Sequence, residues 1–380
     1  MITTDELVRA FAPRLLRSLC CPVCLRDLRL APARADQLVC EGCAAVYGSV
    51  DGLPILLIED ENWRRKEDEI SGEVAFNTDT VPISVHIERN AFVDGNTAEL
   101  LQDADFDLSR ADVLVVGCSM SELEFFVARS RSVCCLDIVP SLSLQALRET
   151  RRRNLDASWV CGDGEALPCG DETFDVVVVR QALHHMLNYG AAVREFFRVC
   201  RTGGTVLLVD EPFGAADGGA PPLSTHAGRR RVLGDVQLAH VRTALGLAPR
   251  AEDAPGISGS GSGFQARAGY IDAVPGDNES LLADKYATLS LVGLLHALDE
   301  LGAEVRMFAP RQVGWVEGSG STLQFKHGPN PLRNRPVLER IISAGNASVV
   351  ARKLAPLRTP RDRASLRPAS LEKCLVLAHG

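Results

Sequence analysis

The chain has 380 residues, 46% of them hydrophobic and 24% charged, with a net charge of −8. This length suits two domains, and the ordinary globular composition excludes a fibre or a largely disordered chain. No apolar run reaches the ~18–20 residues of a membrane-spanning helix, and the start, with Asp5 and Glu6, carries no secretory pattern. A cytoplasmic protein with no membrane partner is therefore expected. The overall acidity disfavours a nucleic-acid partner.

Residues 5–19 predict a short amphipathic helix, with Leu7, Phe11, Leu15, Leu16 and Leu19 near one face. Four of the twelve cysteines follow as two Cys-x-x-Cys pairs, Cys21/Cys24 and Cys40/Cys43. Each pair can place two thiolates on one ion, and together they supply the four-sulfur tetrahedral shell that structural Zn2+ prefers. A closed shell leaves no position for water, so such a metal holds the fold and does no chemistry. Cys20 reads as a buried thiol beside the knuckle. The second knuckle runs on through Tyr47 to Asp51-Gly52-Leu53-Pro54 and an apolar stretch. Residues 13–60 thereby resemble the small zinc ribbon that activates several methyltransferases.

Residues 60–70 are densely charged and predict a linker or a solvated helix start. Residues 91–105 predict a helix. From 112 the pattern is β-α-β. Apolar strands are expected at 112–116, 132–137, 159–163, 174–179 and 203–210, with helices after the first and over 141–153. Continuous apolar runs of this kind mean a parallel sheet covered on both faces, with ligands at the carboxyl ends of its strands.

Several short motifs come in order here. They are Gly117-Cys118, Asp137, Gly162-Asp163-Gly164-Glu165-Ala-Leu-Pro168, Thr173-Phe-Asp175, Ala182-Leu-His184-His185-Met, Glu195-Phe-Phe-Arg198 and Arg201-Thr-Gly203-Gly204. Over 106–215 the chain resembles the class I S-adenosylmethionine-dependent methyltransferases, in the group with the ubiquinone/menaquinone C-methyltransferases. The resemblance implies an α/β, Rossmann-like seven-stranded domain preceded by the small ribbon. It implies S-adenosylmethionine as cofactor, with Gly117 and Ser119 in the first turn and Asp137 accepting the ribose hydroxyls. Asp163 would accept from the adenine amino group, Gly164 would offer its backbone, and Arg180 and Gln181 would line the pocket. His184 and His185 sit after the fourth strand, where a neutral imidazole can act as general base. Asp210 and Glu211 end the fifth strand on the same rim.

The first turn departs from the family's acidic-x-Gly-x-Gly-x-Gly, because Val115, Ser119 and Ser121 stand at three of its positions. Side chains there change how closely a backbone approaches a ligand. Residues 216–280, rich in Gly, Ala and Pro, predict a flexible insertion or lid. A helix over 289–302, with His296 packed on its stripe, and two last strands near 304–308 and 347–353, antiparallel at the edge, complete the sheet within 281–355. Residues 356–380 form a basic tail.

The expected boundaries are 1–60 ribbon, 61–105 linker and leading helix, 106–215 cofactor-binding core, then the insertion, completion and tail. The expected reaction is methyl transfer to a small-molecule acceptor, in specialised metabolism. An RNA-base (rRNA) methyltransferase and a non-catalytic or non-methylating protein of the same fold are the alternatives. The sequence fixes neither the acceptor nor the oligomeric state.

Overall fold

A computed structural model of the chain describes residues 13–32, 34–60, 63, 66, 67, 70, 83–118, 120–212, 291–308, 312–317, 324–329, 346–357 and 367–369. The insertion at 216–280, Ser119, most of the tail and the first part of the 5–19 helix lie outside these residues. Helix α1 (Pro13–Ser18) is the described remainder of that helix.

Short antiparallel strands build the ribbon: β1 (Leu28–Ala31), β2 (Arg34–Cys40), β3 (Val46–Val50) and β4 (Leu53–Pro54), in that spatial order. Asp51 and Gly52 close the β3–β4 hairpin with φ of 48° and 77°. Asp-Gly suits a two-residue turn that needs positive φ at both positions.

The main sheet contains β6 (Asp112–Val116), β7 (Ser132–Asp137), β8 (Ala157–Cys161), β9 (Phe174–Arg180), β10 (Cys200–Pro212), β11 (Glu304–Phe308) and β14 (Asn346–Arg352). Its order is β11-β14-β10-β9-β6-β7-β8. The five strands from β6 to β10 are parallel, as their uninterrupted valine-rich runs predict. The last two strands form one end of the sheet as an antiparallel pair, as expected: β11 is the edge, and β14 sits between β10 and β11 and alone runs against the sheet. A hairpin of β12 (Gln312–Glu317) and β13 (Gln324–Pro329), which sequence reading missed, lies between β11 and β14 in the chain.

Alternate residues of each strand enter opposite cores. Leu114, Val116, Val177 and Val179 pack on one face with α5 (Tyr189–Val199) and α6 (Leu291–Glu300). Val113, Val115, Val176 and Val178 face α2 (Ile83–Asp103), α3 (Met120–Val127) and α4 (Pro140–Arg152). His296 does not pack on α6; it is exposed, 3.5 Å from Glu300.

The ribbon joins the first of these cores, since Leu15, Leu19, Leu38 and Tyr47 are continuous with Leu167, Cys169 and Phe174. Backbone bonds fix the joint. Cys20 N–H donates to the Pro168 carbonyl at 3.0 Å, and Gly170 N–H to that of Ser18 at 2.9 Å. Leu56 N–H donates to the Cys161 carbonyl at 2.8 Å, which covers the open edge of β8. Beyond it, β5 (Ile58–Glu59) pairs with β15 (Arg367–Pro368) from the tail. Residues 60–70 also correct an expectation, because Trp63, Lys66 and Ile70 are all buried, not solvated. Their spacing puts them on one helical face, a signal that the surrounding charges hid. No helix among the described residues is long and apolar enough to cross a membrane.

Candidate functional site

Two tight turns carry the four knuckle cysteines together, and their sulfurs all lie within 4.8 Å of one another. Cys21 Sγ is 3.7 Å from Cys43 Sγ, and Cys24 Sγ is 3.3 Å from Cys40 Sγ. A tetrahedral zinc shell with ~2.3 Å bonds sets sulfur–sulfur edges of about 3.8 Å, so the set fits the ion. The amides of Gly42 and Cys43 point at Cys40 Sγ, at 3.2 and 3.4 Å. Burial opposes ionisation of this thiol, but these donors outweigh it and bring it down to about 7. The Tyr47 hydroxyl lies 3.1 Å from Cys21 Sγ, so the aromatic residue after the second knuckle supports a sulfur directly.

The second constellation gathers at the carboxyl ends of the central strands. Gly117 follows β6 with φ of 71°, and its amide donates to the Leu136 carbonyl at 2.8 Å. A Cβ there would stand 2.4 Å from the Ala182 Cβ, so only glycine lets the turn pass this close. Asp137 closes β7, with Oδ1 accepting the Val139 amide at 2.7 Å. At Gly164 a Cβ would stand 2.6 Å from Met186 Cε, so the glycine lets that thioether lie against the turn. Ser119 lies outside the described residues.

Asp163 and Arg180 are more enclosed than a pocket lining suggests. Asp163 is 4% exposed; its Oδ1 accepts the Glu165 amide at 2.8 Å and its Oδ2 accepts from Lys66 Nζ at 2.6 Å. Arg180, also 4% exposed, donates to Glu122 at 2.9 Å and to Asp94 at 2.5 Å. Burial opposes the Arg180 charge, but the two carboxylates outweigh it and raise its pKa. The guanidinium thus ties α2 and the start of α3 to the end of β9. Lys66, Asp94 and Glu122 escaped sequence reading, because their partners lie far away in the chain.

Beside them, Gln181 directly follows β9 and Asp210 lies near the end of the neighbouring β10, both in the left-handed region at φ 51° and 55°. Such backbone costs ~1–3 kcal/mol per residue and collects where function demands it. Their side chains are joined, Gln181 Nε2 donating to Asp210 Oδ2 at 3.1 Å.

Glu211 is fully buried. Its Oε1 accepts the amides of Ala182 and Leu183 at 2.9 and 3.0 Å. Its Oε2 lies 2.9 Å from His184 Nδ1. A carboxylate facing Nδ1 selects the Nδ1–H tautomer and leaves Nε2 as the basic nitrogen. The His184 and His185 rings lie 4.1 Å apart between centroids, with His185 the exposed member. Of the two rim acids that the sequence offered, Glu211 is the one that orients histidine.

Residues 114–208 match the family model described as a methyltransferase domain. Among curated relatives, the demethylmenaquinone methyltransferase of Corynebacterium urealyticum is 32% identical over 97 residues, 26% of this chain and 39% of that protein. The mitochondrial 2-methoxy-6-polyprenyl-1,4-benzoquinol methylase of Xenopus laevis is 34% identical over 83 residues, 21% of this chain and 26% of that one. The malonyl-[acyl-carrier protein] O-methyltransferase of Yersinia pestis is 27% identical over 133 residues, 35% and 48% of the two chains. This chain therefore spans less than half the length of these relatives. A solved structure of a putative methyltransferase from Bacillus halodurans aligns at 16% identity over 68% of this chain and 98% of that one, with a TM-score of 0.38. The matched stretch is a class I S-adenosylmethionine-dependent methyltransferase domain.

Proposed function

We propose that this class I methyltransferase core transfers a methyl group from S-adenosylmethionine to a small-molecule acceptor, in specialised metabolism. One observation carries the reading: the matched stretch brings Gly117, Asp137 and His184 to its strand ends, with Glu211, just beyond it, against His184. When bound, S-adenosylmethionine supplies an electrophilic methyl group on a sulfonium for in-line displacement. Asp137 would accept the ribose hydroxyls, as carboxylates after a second strand do in dinucleotide sites. The tight turn at Gly117 would leave room for the amino-acid portion beside the backbone. His184 Nε2 would take the proton of the attacking group while Glu211 stabilises the imidazolium that forms. Positioning supplies much of the remaining acceleration. Cys21, Cys24, Cys40 and Cys43 would hold Zn2+ away from this chemistry, as a fold-completing ion.

Titration calorimetry of the full chain with S-adenosylmethionine and S-adenosylhomocysteine tests the reading. Binding that is lost in Asp137→Ala supports it, and no heat at high micromolar protein overturns it.

A further inference from the structure

The linker that leaves the ribbon sends one cation into the core. Lys66 is 3% exposed, and its ammonium lies 2.7 Å from Asp60 Oδ2, 2.6 Å from Asp163 Oδ2 and 3.7 Å from Glu165 Oε2. Ninety-seven residues separate Lys66 from Asp163. Asp163 stands just beyond the carboxyl end of β8, where Gly162 N–H donates to the Asp137 carbonyl at 3.0 Å. Open α/β sheets take their ligands at such strand ends. The ribbon reaches the same corner, with Leu56 bonded to Cys161 two residues before Asp163. Burial would strip the proton from Lys66, but attraction by Asp163, Glu165 and Asp60 outweighs it.

We infer that Lys66 is a positioning residue for base recognition: the ribbon's linker fixes Asp163 as a hydrogen-bond acceptor toward the exocyclic amino group of the bound nucleoside. The inference rests on the cofactor reading above. An ammonium on Oδ2 and an amide on Oδ1 pin the carboxylate plane, and donors on both oxygens keep it an acceptor. A carboxylate offers about four lone-pair positions, so room remains for an amino donor. Without Lys66, three carboxylates face one another in a dry shell, and such groups share protons. A protonated Asp163 would offer O–H to an amino group and lose the match. A wrong donor–acceptor pairing in a buried site is what discriminates between ligands that differ in one polar group.

Calorimetry of the full, metal-loaded chain tests this with S-adenosylhomocysteine and S-inosylhomocysteine, whose base carries an oxo group where adenine has its amino group. Wild type should prefer the adenosyl ligand about 10- to 100-fold. Lys66→Met should cut that preference to within about threefold, by weaker adenosyl and tighter inosyl binding, with metal content unchanged. Lys66→Arg, which keeps the charge, should restore the preference. If Lys66→Met fails to fold, Lys66→Gln gives the same readout. A parallel fall for both ligands would show a merely structural lysine and overturn the inference, as would an unchanged ratio. Wild type that binds neither ligand overturns the cofactor reading itself, a result that needs no variant.

Discussion

The sulfur knuckle and the histidine rim solve the same problem in opposite ways. Both must hold groups that would rather be in water. At the knuckle, the four ligands come from two local turns within 23 residues of chain, Cys21 to Cys43, and their own spacing fixes the geometry. At the rim, His184 depends on Glu211, which arrives from the next strand, and Gln181 depends on Asp210 in the same way. The knuckle is a local design that reports to the core through Leu15, Leu19 and Tyr47. The rim exists only once β9 and β10 are paired. Damage to the first should therefore remove structure, and damage to the second should remove chemistry.

Substitutions test that division, beginning with the largest effect. Cys40→Ser breaks the four-sulfur shell, and structural zinc contributes ~10–16 kcal/mol to the fold of such modules. Metal content should fall below half an equivalent and the soluble yield should collapse, because the ribbon shares its core with β8 and β9. An unchanged melting curve would mean that the knuckle is ornamental. His184→Ala should lower the single-turnover rate about 10²–10⁴-fold while S-adenosylhomocysteine affinity stays within about threefold. A loss of affinity with an intact rate would place His184 in binding instead.

Glu211→Ala removes the acceptor of the Ala182 and Leu183 amides together with the partner of His184. Each buried donor left unpaired costs ~1–3 kcal/mol, so this rim change should lower both the melting temperature and the rate. Gly117→Ala forces a side chain into φ 71° and against Ala182. It should cost ~1–3 kcal/mol of stability in thermal melts and weaken cofactor binding. At the small end, Arg148→Ala removes an exposed ion pair with Asp51 across the ribbon–core joint. Exposed pairs are worth ~0–1 kcal/mol, so the melting curve should barely move.

Legibility in the sequence followed the distance over which each feature is determined. The five parallel strands could be read because each is a continuous apolar run. The β12–β13 hairpin could not, since Gly314, Gly328 and its polar residues break the period-two pattern. Asp137 is legible by its place after a strand and His184 by its motif, and the structure puts both at the carboxyl ends of sheet strands. Arg180 was read as pocket lining, whereas its two carboxylate partners, 58 and 86 residues away, tie it into the frame. The charges at 60–70 read as solvent-facing, whereas three carboxylates make a buried lysine affordable there.

The sequence by itself determined the sheet strands, the metal-type knuckle and the chemistry available at the strand ends. Period, spacing and residue type are local properties that survive without knowledge of neighbours. Only the tertiary structure decided that ribbon and core share one hydrophobic interior, that β14 sits inside β11, that Glu211 is the acid behind His184, and that Lys66 reaches Asp163. Each of these is a pairing between distant segments. Burial strengthens such pairings by lowering the local dielectric, and no window along the chain displays burial.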